Sequence, residues 1–450
     1  MGLGHNTARL VGALVLALSI AAGPAATIAD PGGAGEQPAY EEWFTGEALR
    51  VELVHAGTRD KEFFAVEQLA AEPLWPGPRR HLLDPTGYGK YRFRVLDRAT
   101  GREIFSQGYC SLFGEWVTTA EAAGGAWRSM PEPLRMPMPR APVILALEVR
   151  GEDGVFAELQ RLEIDGTAYD VRRDQAYGFE VDLLHDCGKK PAAAVDVVIV
   201  PDGYTATEAE KLDVDVRRFA VVLLAEPPFD RHRDEICVRL VRAWSRESGT
   251  DEPRKGIFRD TVVDTGFDTF RSPRYLTTPN LLAVKRVAAL APCDTIFVMV
   301  NSSRYGGGGI FGAYSIFTSD NEYSEYVMIH EFGHGFGGLA DEYFASSTGY
   351  DEDQFYREGV EPWEPNLTIR TGRREVKWGA LIPADVPVPT PDEPRFDGVV
   401  GLFEGGGYKA KGIFRPTRDS KMFHKGLLPF GPVSEAAIER MIAYFTGGDL

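Results

Sequence analysis

The chain is short of several kinds of residue, and each shortage argues against a class of protein. Its 450 residues hold 49 Lys and Arg against 66 Asp and Glu, a formal net charge of −17. Nucleic acid and anionic membranes repel so acidic a chain, so we expect no nucleic-acid partner. After residue 30, no stretch reaches the roughly 20 apolar residues that a membrane helix needs, so we expect no stable membrane partner.

Cysteine is also scarce, with four in the chain: Cys110, Cys187, Cys237 and Cys293. None forms a C-x-x-C pair, which argues against a four-cysteine zinc site. Cys237 and Cys293 flank predicted strands of one domain, so they are able to bridge in an oxidising compartment. Four cysteines allow three pairings, and the sequence does not choose among them.

The first thirty residues have the pattern of a secretory signal. Arg9 supplies positive charge, the segment 10–22 is apolar, and small residues lead to a cleavage site near Ala29. This pattern predicts a signal peptide over residues 1–29 and a mature protein that is secreted or periplasmic. The alternative is a retained N-terminal anchor.

Two different patterns follow along the chain. Residues 40–186 contain short apolar segments separated by Gly, Pro and Asp, which predicts an N-terminal β-sandwich. In residues 192–450, buried strands alternate with helices, which predicts an α/β domain. The strands expected there are 195–200, 236–241 and 295–300, and the helices are 205–225, 280–290 and 434–446. The fold class is therefore α+β, with two domains after the signal.

A glycine run precedes the segment that carries the chemistry. Residues 306–309 are all glycine, but the Lys and Ser or Thr of a phosphate-binding loop do not follow them. We expect a turn into an edge strand at 313–317, where an extended peptide can add itself as a further strand. A plain hairpin is the alternative. Ser319 and Glu322 have the spacing of a capping box, which predicts a helix from about Asp320.

His330, Glu331 and His334 form an H-E-x-x-H motif within that helix. Residues four apart lie on one face of a helix, so both imidazoles can bind one metal ion. Glu331 lies about 100° round the helix, where it can act on a water molecule without replacing a ligand. The pattern is that of zinc hydrolases, while the alternative is two structural histidines on a buried helix.

A catalytic zinc ion normally has three protein ligands, and the residues after His334 supply candidates for the third. The longer pattern H-E-x-x-H-x-x-G uses its glycine, here Gly337, to turn the chain back towards the metal. In metzincins the third ligand lies three residues after this glycine, which here is Ala340, and alanine cannot bind metal. We therefore expect Asp341, one residue later, with Glu342 as the runner-up.

Residues 330–343, H-E-F-G-H-G-F-G-G-L-A-D-E-Y, resemble the zinc motif of the bacterial IgA-metallopeptidase family. Segments 196–204, 300–307 and 400–416 are similar to its catalytic domain, and 89–119 is similar to its N-terminal β-domain. The resemblance covers most of the mature chain. It implies a metzincin-like zinc-peptidase domain, with a methionine turn in which Met422 forms an apolar floor beneath the metal. Cysteines that the family often has near this turn are replaced here by Ser420, Gly431 and Ser434.

These observations predict a secreted endopeptidase that holds one catalytic Zn²⁺ and hydrolyses an extracellular protein or peptide substrate. Zinc activates a water molecule, and Glu331 takes its proton as general base. His424 and Tyr343 are the candidate donors to the oxyanion. Two other classes stay open: a non-catalytic adhesin or glycan- or protein-binding protein that retains the fold, and a zinc amidase acting on the cell wall.

Overall fold

The structure is a computed structural model that describes residues 37–173, 177–344, 355–426 and 428–450. The predicted signal peptide over residues 1–29 lies outside the described residues. Within the described ranges, no helix combines the length and the apolar character needed to cross a membrane.

The first half of the chain consists of strands and three short helices. Strands β1 to β8 are Phe44–Gly57, Glu62–Glu72, Tyr91–Asp97, Glu103–Tyr109, Arg128–Pro131, Leu134–Pro139, Val143–Arg150 and Phe156–Ile164. Helices α1 to α3 are Tyr40–Trp43, Leu112–Trp116 and Ala120–Ala123. One sheet has the order β2-β1-β5, with β6 also paired to β1, and the other has the order β4-β3-β7-β8. Leu49, Val51, Phe93 and Leu145 belong to one shared hydrophobic core, so the two sheets pack on each other.

The second half is a mixed sheet covered by helices on both faces. The strands of this half, β9 to β16, are Val181–His185, Val195–Asp202, Ile236–Val241, Thr295–Val300, Gly307–Ile310, Tyr314–Thr318, Phe403–Gly406 and Lys409–Arg415. Helices α4 to α7 are Ala209–Ala225, Leu281–Ala288, Ser324–Gly335 and Pro432–Thr446. Single-turn or short 3₁₀ helices are Pro191–Ala193, Ala206–Glu208, Phe229–Glu235, Pro253–Lys255, Thr269–Arg271, Gly379–Leu381 and Pro394–Phe396.

Six of these strands form one sheet in the order β13-β14-β12-β10-β11-β9. Strands β14, β12, β10 and β11 are parallel, and the two edge strands run antiparallel to their neighbours. Alternate residues of each inner strand face opposite cores. Val197 and Ile199 pack with α4, α6 and α7, while Val198 and Val200 pack with α5. Because both faces are covered, the inner strands are almost entirely apolar.

Mixed α/β architecture with an N-terminal β region is therefore confirmed, and the expected strands and helices lie close to their predicted positions. The predicted limits of the two domains stay a prediction. Strand β9 falls within the range 40–186 and pairs with β11 of the six-stranded sheet.

The structure differs from the sequence-based expectations in three places. The edge strand beside the helix that carries the H-E-x-x-H motif is the glycine run itself, β13, whereas the segment predicted as the edge is the inner strand β14. Helix α6 begins at Ser324 because the Ser319 amide is used by the Val300 carbonyl, which extends the strand ladder.

The third difference concerns the cysteines: of the pairings that the sequence left open, the structure forms Cys187–Cys237 and not the bridge between Cys237 and Cys293. Cys187 follows β9, which is hydrogen-bonded to β11, the strand that contains Cys237. Cys293 precedes β12, which is separated from β11 by β10. Strands β11 and β12 are therefore two strand spacings apart, about 10 Å, and this distance is beyond the reach of a disulfide.

Candidate metal centre

Helix α6 ends in a turn that brings the following residues back under its last two turns. The Leu339 amide donates to the Gly333 carbonyl at 2.9 Å, and the Gly338 amide donates to the His334 carbonyl at 3.1 Å. Gly338 has φ +65°, a left-handed conformation that glycine adopts without strain. The glycine exit thus directs the next residues, Ala340 and Asp341, towards the two histidines.

Three side-chain atoms converge at this point. His330 Nε2 lies 3.1 Å from Asp341 Oδ1, and His334 Nε2 lies 3.3 Å from the same oxygen. The two Nε2 atoms are 3.2 Å apart. Among the described residues, this is the one group of three metal-ligating side chains whose ligand atoms lie together.

Backbone carbonyls determine which nitrogen of each histidine carries the proton. His330 Nδ1 lies 3.0 Å from the Lys421 carbonyl oxygen, and His334 Nδ1 lies 2.6 Å from that of Leu339. A carbonyl oxygen only accepts, so each Nδ1 is the donor. In the neutral imidazoles, both Nε2 atoms therefore present lone pairs to Asp341 Oδ1.

Three facing lone pairs at these distances repel one another unless a cation lies among them. Tetrahedral zinc with ligands at 2.0–2.1 Å requires ligand atoms about 3.3 Å apart, which matches the observed separations. Asp341 Oδ1 is buried and accepts no well-aligned hydrogen bond among the described residues. The donor set, two imidazoles and one carboxylate, is one that zinc accepts. The residues therefore fit a zinc ion.

A proton can relieve the same repulsion. Burial lowers the pKa of His334, but the Asp341 carboxylate raises it, with a net rise to about 9. Burial also opposes ionisation of Asp341, yet the two imidazoles hold the pKa of its carboxyl well below its usual range. A metal ion and a proton therefore compete for this position, so metal binding releases a proton.

The hairpin of β15 and β16 holds the Asp341 carboxylate. Tyr408 donates its hydroxyl to Asp341 Oδ2 at 2.6 Å, which leaves Oδ1 directed at the histidines. Tyr408 has φ +67°, a conformation that costs a non-glycine residue on the order of 1 kcal/mol. The Gly407 amide donates to the Asp341 carbonyl, and the Tyr408 amide donates to that of Tyr343. The hairpin thus fixes both the backbone and the carboxylate of Asp341.

Glu342, the runner-up ligand, points away from the histidines. Its carboxylate accepts from Ser420 Oγ at 2.7 Å and from Asn366 Nδ2 at 3.0 Å. Asn366 also bonds both backbone groups of Ala340. Burial raises the pKa of Glu342 to about 7, although Ser420 and Asn366 lower it. Glu342 therefore joins the post-helix turn to two other loops.

The side chain of Glu331 lies between its own helix, α6, and the edge strand β13. A Cβ atom at Gly307 would lie 2.8 Å from Glu331 Oε1, and one at Gly309 would lie 2.4 Å from the Glu331 carbonyl oxygen. The glycine run therefore allows β13 to approach the helix closely on this face. Burial raises the pKa of the Glu331 carboxyl, although His330 and His334 lower it.

Met422 is completely buried, with its sulfur against Gly333 of helix α6. A Cβ atom at Gly333 would lie 2.9 Å from the Met422 sulfur. The Met422 carbonyl accepts from the Glu342 amide at 2.9 Å. The neighbouring carbonyl, that of Lys421, is the acceptor for His330. The loop 420–424 thus contacts both the helix and the residues that follow it.

A cavity of about 1000 Å³ opens over the three converging atoms. Tyr343 borders it, and burial together with the Asp341 carboxylate raises the Tyr343 pKa well above its usual range. His424 lies at the rim with 62% of its side chain exposed, and it bonds Asp419 through Nδ1. Arg274 also borders the cavity, and its charge lowers the pKa of Glu331 and of Tyr343.

Sequence reasoning missed four groups of this site. Tyr408 follows three glycines in the segment 405–407, a pattern that marks an unusual turn but not its target. The acceptors for the two histidines are backbone carbonyls of Lys421 and Leu339, which no residue type identifies. Arg274 lies in a loop far from the motif along the chain, without a recognisable pattern.

Two family models match the chain. One, described as IgA Peptidase M64, matches residues 183–397, and the other, described as Peptidase M64 N-terminus, matches residues 39–160. Together they cover most of the chain and include His330, Glu331, His334 and Asp341. The matched ranges do not include Tyr408 or Met422. No curated protein matches the sequence.

Proposed function

Because the chain belongs to the IgA peptidase M64 family, a family of peptidases, we propose that it is a secreted zinc-dependent endopeptidase with a metzincin-like catalytic domain. One observation carries the zinc part of this proposal. His330 Nε2, His334 Nε2 and Asp341 Oδ1 lie 3.1–3.3 Å apart, with their lone pairs facing one another. This arrangement in a protein interior favours a bound cation.

His330, His334 and Asp341 would hold the ion. When bound, zinc supplies Lewis acidity that polarises a peptide carbonyl and acidifies a water molecule. Glu331 borders the same cavity and acts as general base, taking a proton from the attacking water and passing it to the leaving amine. Its burial raises the pKa of its carboxyl, which makes it a stronger base than an exposed glutamate. Met422 would form the apolar floor under the histidines.

The oxyanion that forms during attack needs a donor. Tyr343 and His424 remain candidates, and Arg274 is a third. Arg274 carries a positive charge within electrostatic reach of Glu331 and Tyr343, whereas His424 is paired with Asp419. Because a guanidinium is always charged and stabilises negative charge that develops nearby, we favour Arg274.

The geometry of the cleft favours a polypeptide substrate. Strand β13 is the edge of the six-stranded sheet and lies beside the helix that carries Glu331 and His334. An extended chain can lie along such an edge and place one of its peptide bonds over the metal site. A cavity of about 1000 Å³ is at the upper end of the range for small-molecule pockets, which is consistent with a peptide segment.

Metal analysis combined with a cleavage assay tests the proposal. We expect one zinc per wild-type chain and cleavage of unfolded protein substrates. Glu331→Gln should retain zinc and lose cleavage by about 10³-fold or more, because the base is removed without removing a ligand. Asp341→Asn should lose zinc, while Glu342→Gln should retain it, because the Glu342 carboxylate faces Ser420 and Asn366.

The remaining function classes give different results in the same assay. A wild-type protein that holds zinc, cleaves no protein and releases amide-linked fragments from cell wall would be an amidase. Wild-type protein without metal and without hydrolysis would support a non-catalytic binding protein.

The proposal that the protein is exported rests on the pattern of residues 1–29 and has a separate test. The Cys187–Cys237 disulfide supports an oxidising compartment. N-terminal sequencing of protein from the medium or periplasm should find a chain that begins near Asp30. A full-length chain retained in the cell would contradict export.

A further inference from the structure

The cavity over the metal site has walls from both halves of the described chain. Part of its lining consists of Glu331, His334 and Asp341, and another part consists of residues of the N-terminal β region. These include residues of the segment 110–118, which contains helix α2, and of the β7–β8 turn. The N-terminal region is therefore part of the cleft and not a separate module on the far side of the protein.

In space, the first residue of the segment 110–118 lies next to the C-terminal end of β13. The Cys110 amide donates to the Phe311 carbonyl at 2.9 Å, immediately after the strand. At the other end of the strand, the Leu276 amide donates to the Gly307 carbonyl at 3.4 Å. Gly307 and Phe311 are about 13 Å apart along an extended strand. Chain segments from outside the sheet thus bracket both ends of β13.

The metal site lies within this bracketed stretch. A Cβ atom at Gly309, midway along it, would lie 2.7 Å from His334 Cβ. A polypeptide that follows β13 from Gly309 towards Phe311 travels about 7 Å before it meets the segment that begins at Cys110. This distance is about two residues.

Several contacts hold the N-terminal wall in place. The Tyr275 hydroxyl donates to the Glu115 carboxylate, and Tyr275 itself forms a bridge to Gly307. Arg286 of α5 donates to the buried Glu52 of β1 at 2.6 Å. Because Glu52 is also paired with Arg50, this contact belongs to a buried charge network that resists separation.

We propose that the N-terminal β region forms the end wall of the substrate cleft, where the segment 110–118 binds the part of an extended polypeptide that lies beyond the scissile bond on the Phe311 side. This inference rests on the proposed function and assigns a role to the N-terminal region. It makes the substrate an unfolded segment or an exposed loop, which reaches the wall with about the third residue from the metal site.

Peptides of two lengths test the proposal. A short substrate has two residues on each side of the scissile bond, and a long one has five residues on each side. Thr118→Trp places a bulky side chain in the cavity, and Ala120→Trp, at an exposed position outside the cavity, is the matched control. In Thr118→Trp, the ratio of kcat/KM for the long peptide to that for the short one should fall about tenfold. The control should keep the wild-type ratio, and an unchanged ratio in both variants would overturn the proposal.

A binding measurement gives an answer that does not depend on turnover. Full-length Glu331→Gln protein loaded with zinc is incubated with two versions of the long peptide. One carries a benzophenone side chain at the third residue before the scissile bond, and the other carries it at the third residue after that bond. For one of the two positions, irradiation should crosslink the peptide to residues 110–118. Crosslinks confined to residues 192–450 for both positions would overturn the proposal, whereas failure of the proposed function would appear as absent cleavage of both peptides by the wild type.

Discussion

The hydroxyl of Tyr408 lies 2.6 Å from Asp341 Oδ2 and leaves the other carboxylate oxygen, Oδ1, directed at the two histidines. Tyr408→Phe removes this hydrogen bond while keeping the ring. Because partners behind a metal ligand orient it, we expect zinc affinity to fall about 10–100-fold. Competition with a chromogenic chelator measures the change.

Tyr356→Phe is the matched control for that variant. Tyr356 also borders the cavity, and its hydroxyl also donates to a carboxylate, but that carboxylate belongs to Glu364. We expect wild-type zinc affinity in this control. Equal losses in the two variants would show that the Tyr408 effect comes from the loop as a whole and not from its bond to Asp341.

Gly309→Ala tests the close approach of β13 to helix α6. The new Cβ atom would lie 2.4 Å from the Glu331 carbonyl oxygen and 2.7 Å from His334 Cβ, so strand or helix must shift. We expect a loss of about 1–3 kcal/mol in the free energy of unfolding and at least tenfold lower kcat/KM. Gly46→Ala, with nothing within 4 Å of its added Cβ, should change neither quantity. A fully active Gly309→Ala enzyme would contradict the fixed spacing.

The sequence predicted those parts of the site that depend on local pattern. Helical spacing placed His330 and His334 on one face, and the glycine exit indicated a turn that returns the chain to them. It also ranked Asp341 above Glu342, and the structure brings Asp341 to the histidines while Glu342 bonds Ser420. These features are encoded within fourteen consecutive residues, so no tertiary information was needed.

Features that depend on distant segments were not predictable in the same way. The sequence predicts a turn at the glycine run, because the contacts with Glu331 that require glycine at alternate residues exist only when β13 packs on α6. The sequence does not choose the disulfide pairing, because the strands β9 and β11 that bring Cys187 and Cys237 together are far apart in the chain. Backbone carbonyls such as that of Lys421 have no sequence signature at all.

A buried histidine outside the group of metal-ligating residues predicts how stability depends on pH. His55 is completely buried, with Phe64 and Phe113 stacked on its two faces. Its Nδ1 lies 2.8 Å from Glu132, and its Nε2 lies 2.9 Å from Glu62. Burial lowers its pKa, but the two carboxylates outweigh burial and raise the pKa to about 9. Tyr91 and Tyr109, which bond the same carboxylates, have pKa values well above their usual range and stay neutral at pH 9.

The folded pKa of His55 is above the unfolded value of about 6.5, so the folded state holds this proton more tightly. Its contribution to stability is therefore complete below pH 6.5 and is lost as the pH rises towards and through 9. The difference corresponds to about 3 kcal/mol in the free energy of unfolding. Urea unfolding from pH 6 to 10 should show a loss in wild type and in His185→Gln, a partly exposed control, that exceeds the loss in His55→Gln by this amount; the loss that remains in His55→Gln comes from groups such as His334, whose pKa is also raised. A flat wild-type profile would refute the prediction.

The oxyanion donor is identified by comparing Arg274→Gln, Tyr343→Phe and His424→Ala under saturating zinc. Arg274 borders the cavity and its charge reaches Glu331, whereas His424 lies at the rim and is paired with Asp419. A donor that acts only on the developing charge lowers kcat by about 10²–10³-fold with little change in KM. We expect this pattern for Arg274→Gln and less than a threefold effect for His424→Ala. The affinity of a phosphinic peptide should fall in parallel with kcat/KM in the responsible variant, because its oxygens occupy the position of the oxyanion. If Arg274→Gln instead raised KM only for substrates with acidic side chains, Arg274 would select the substrate and Tyr343 would remain the candidate donor.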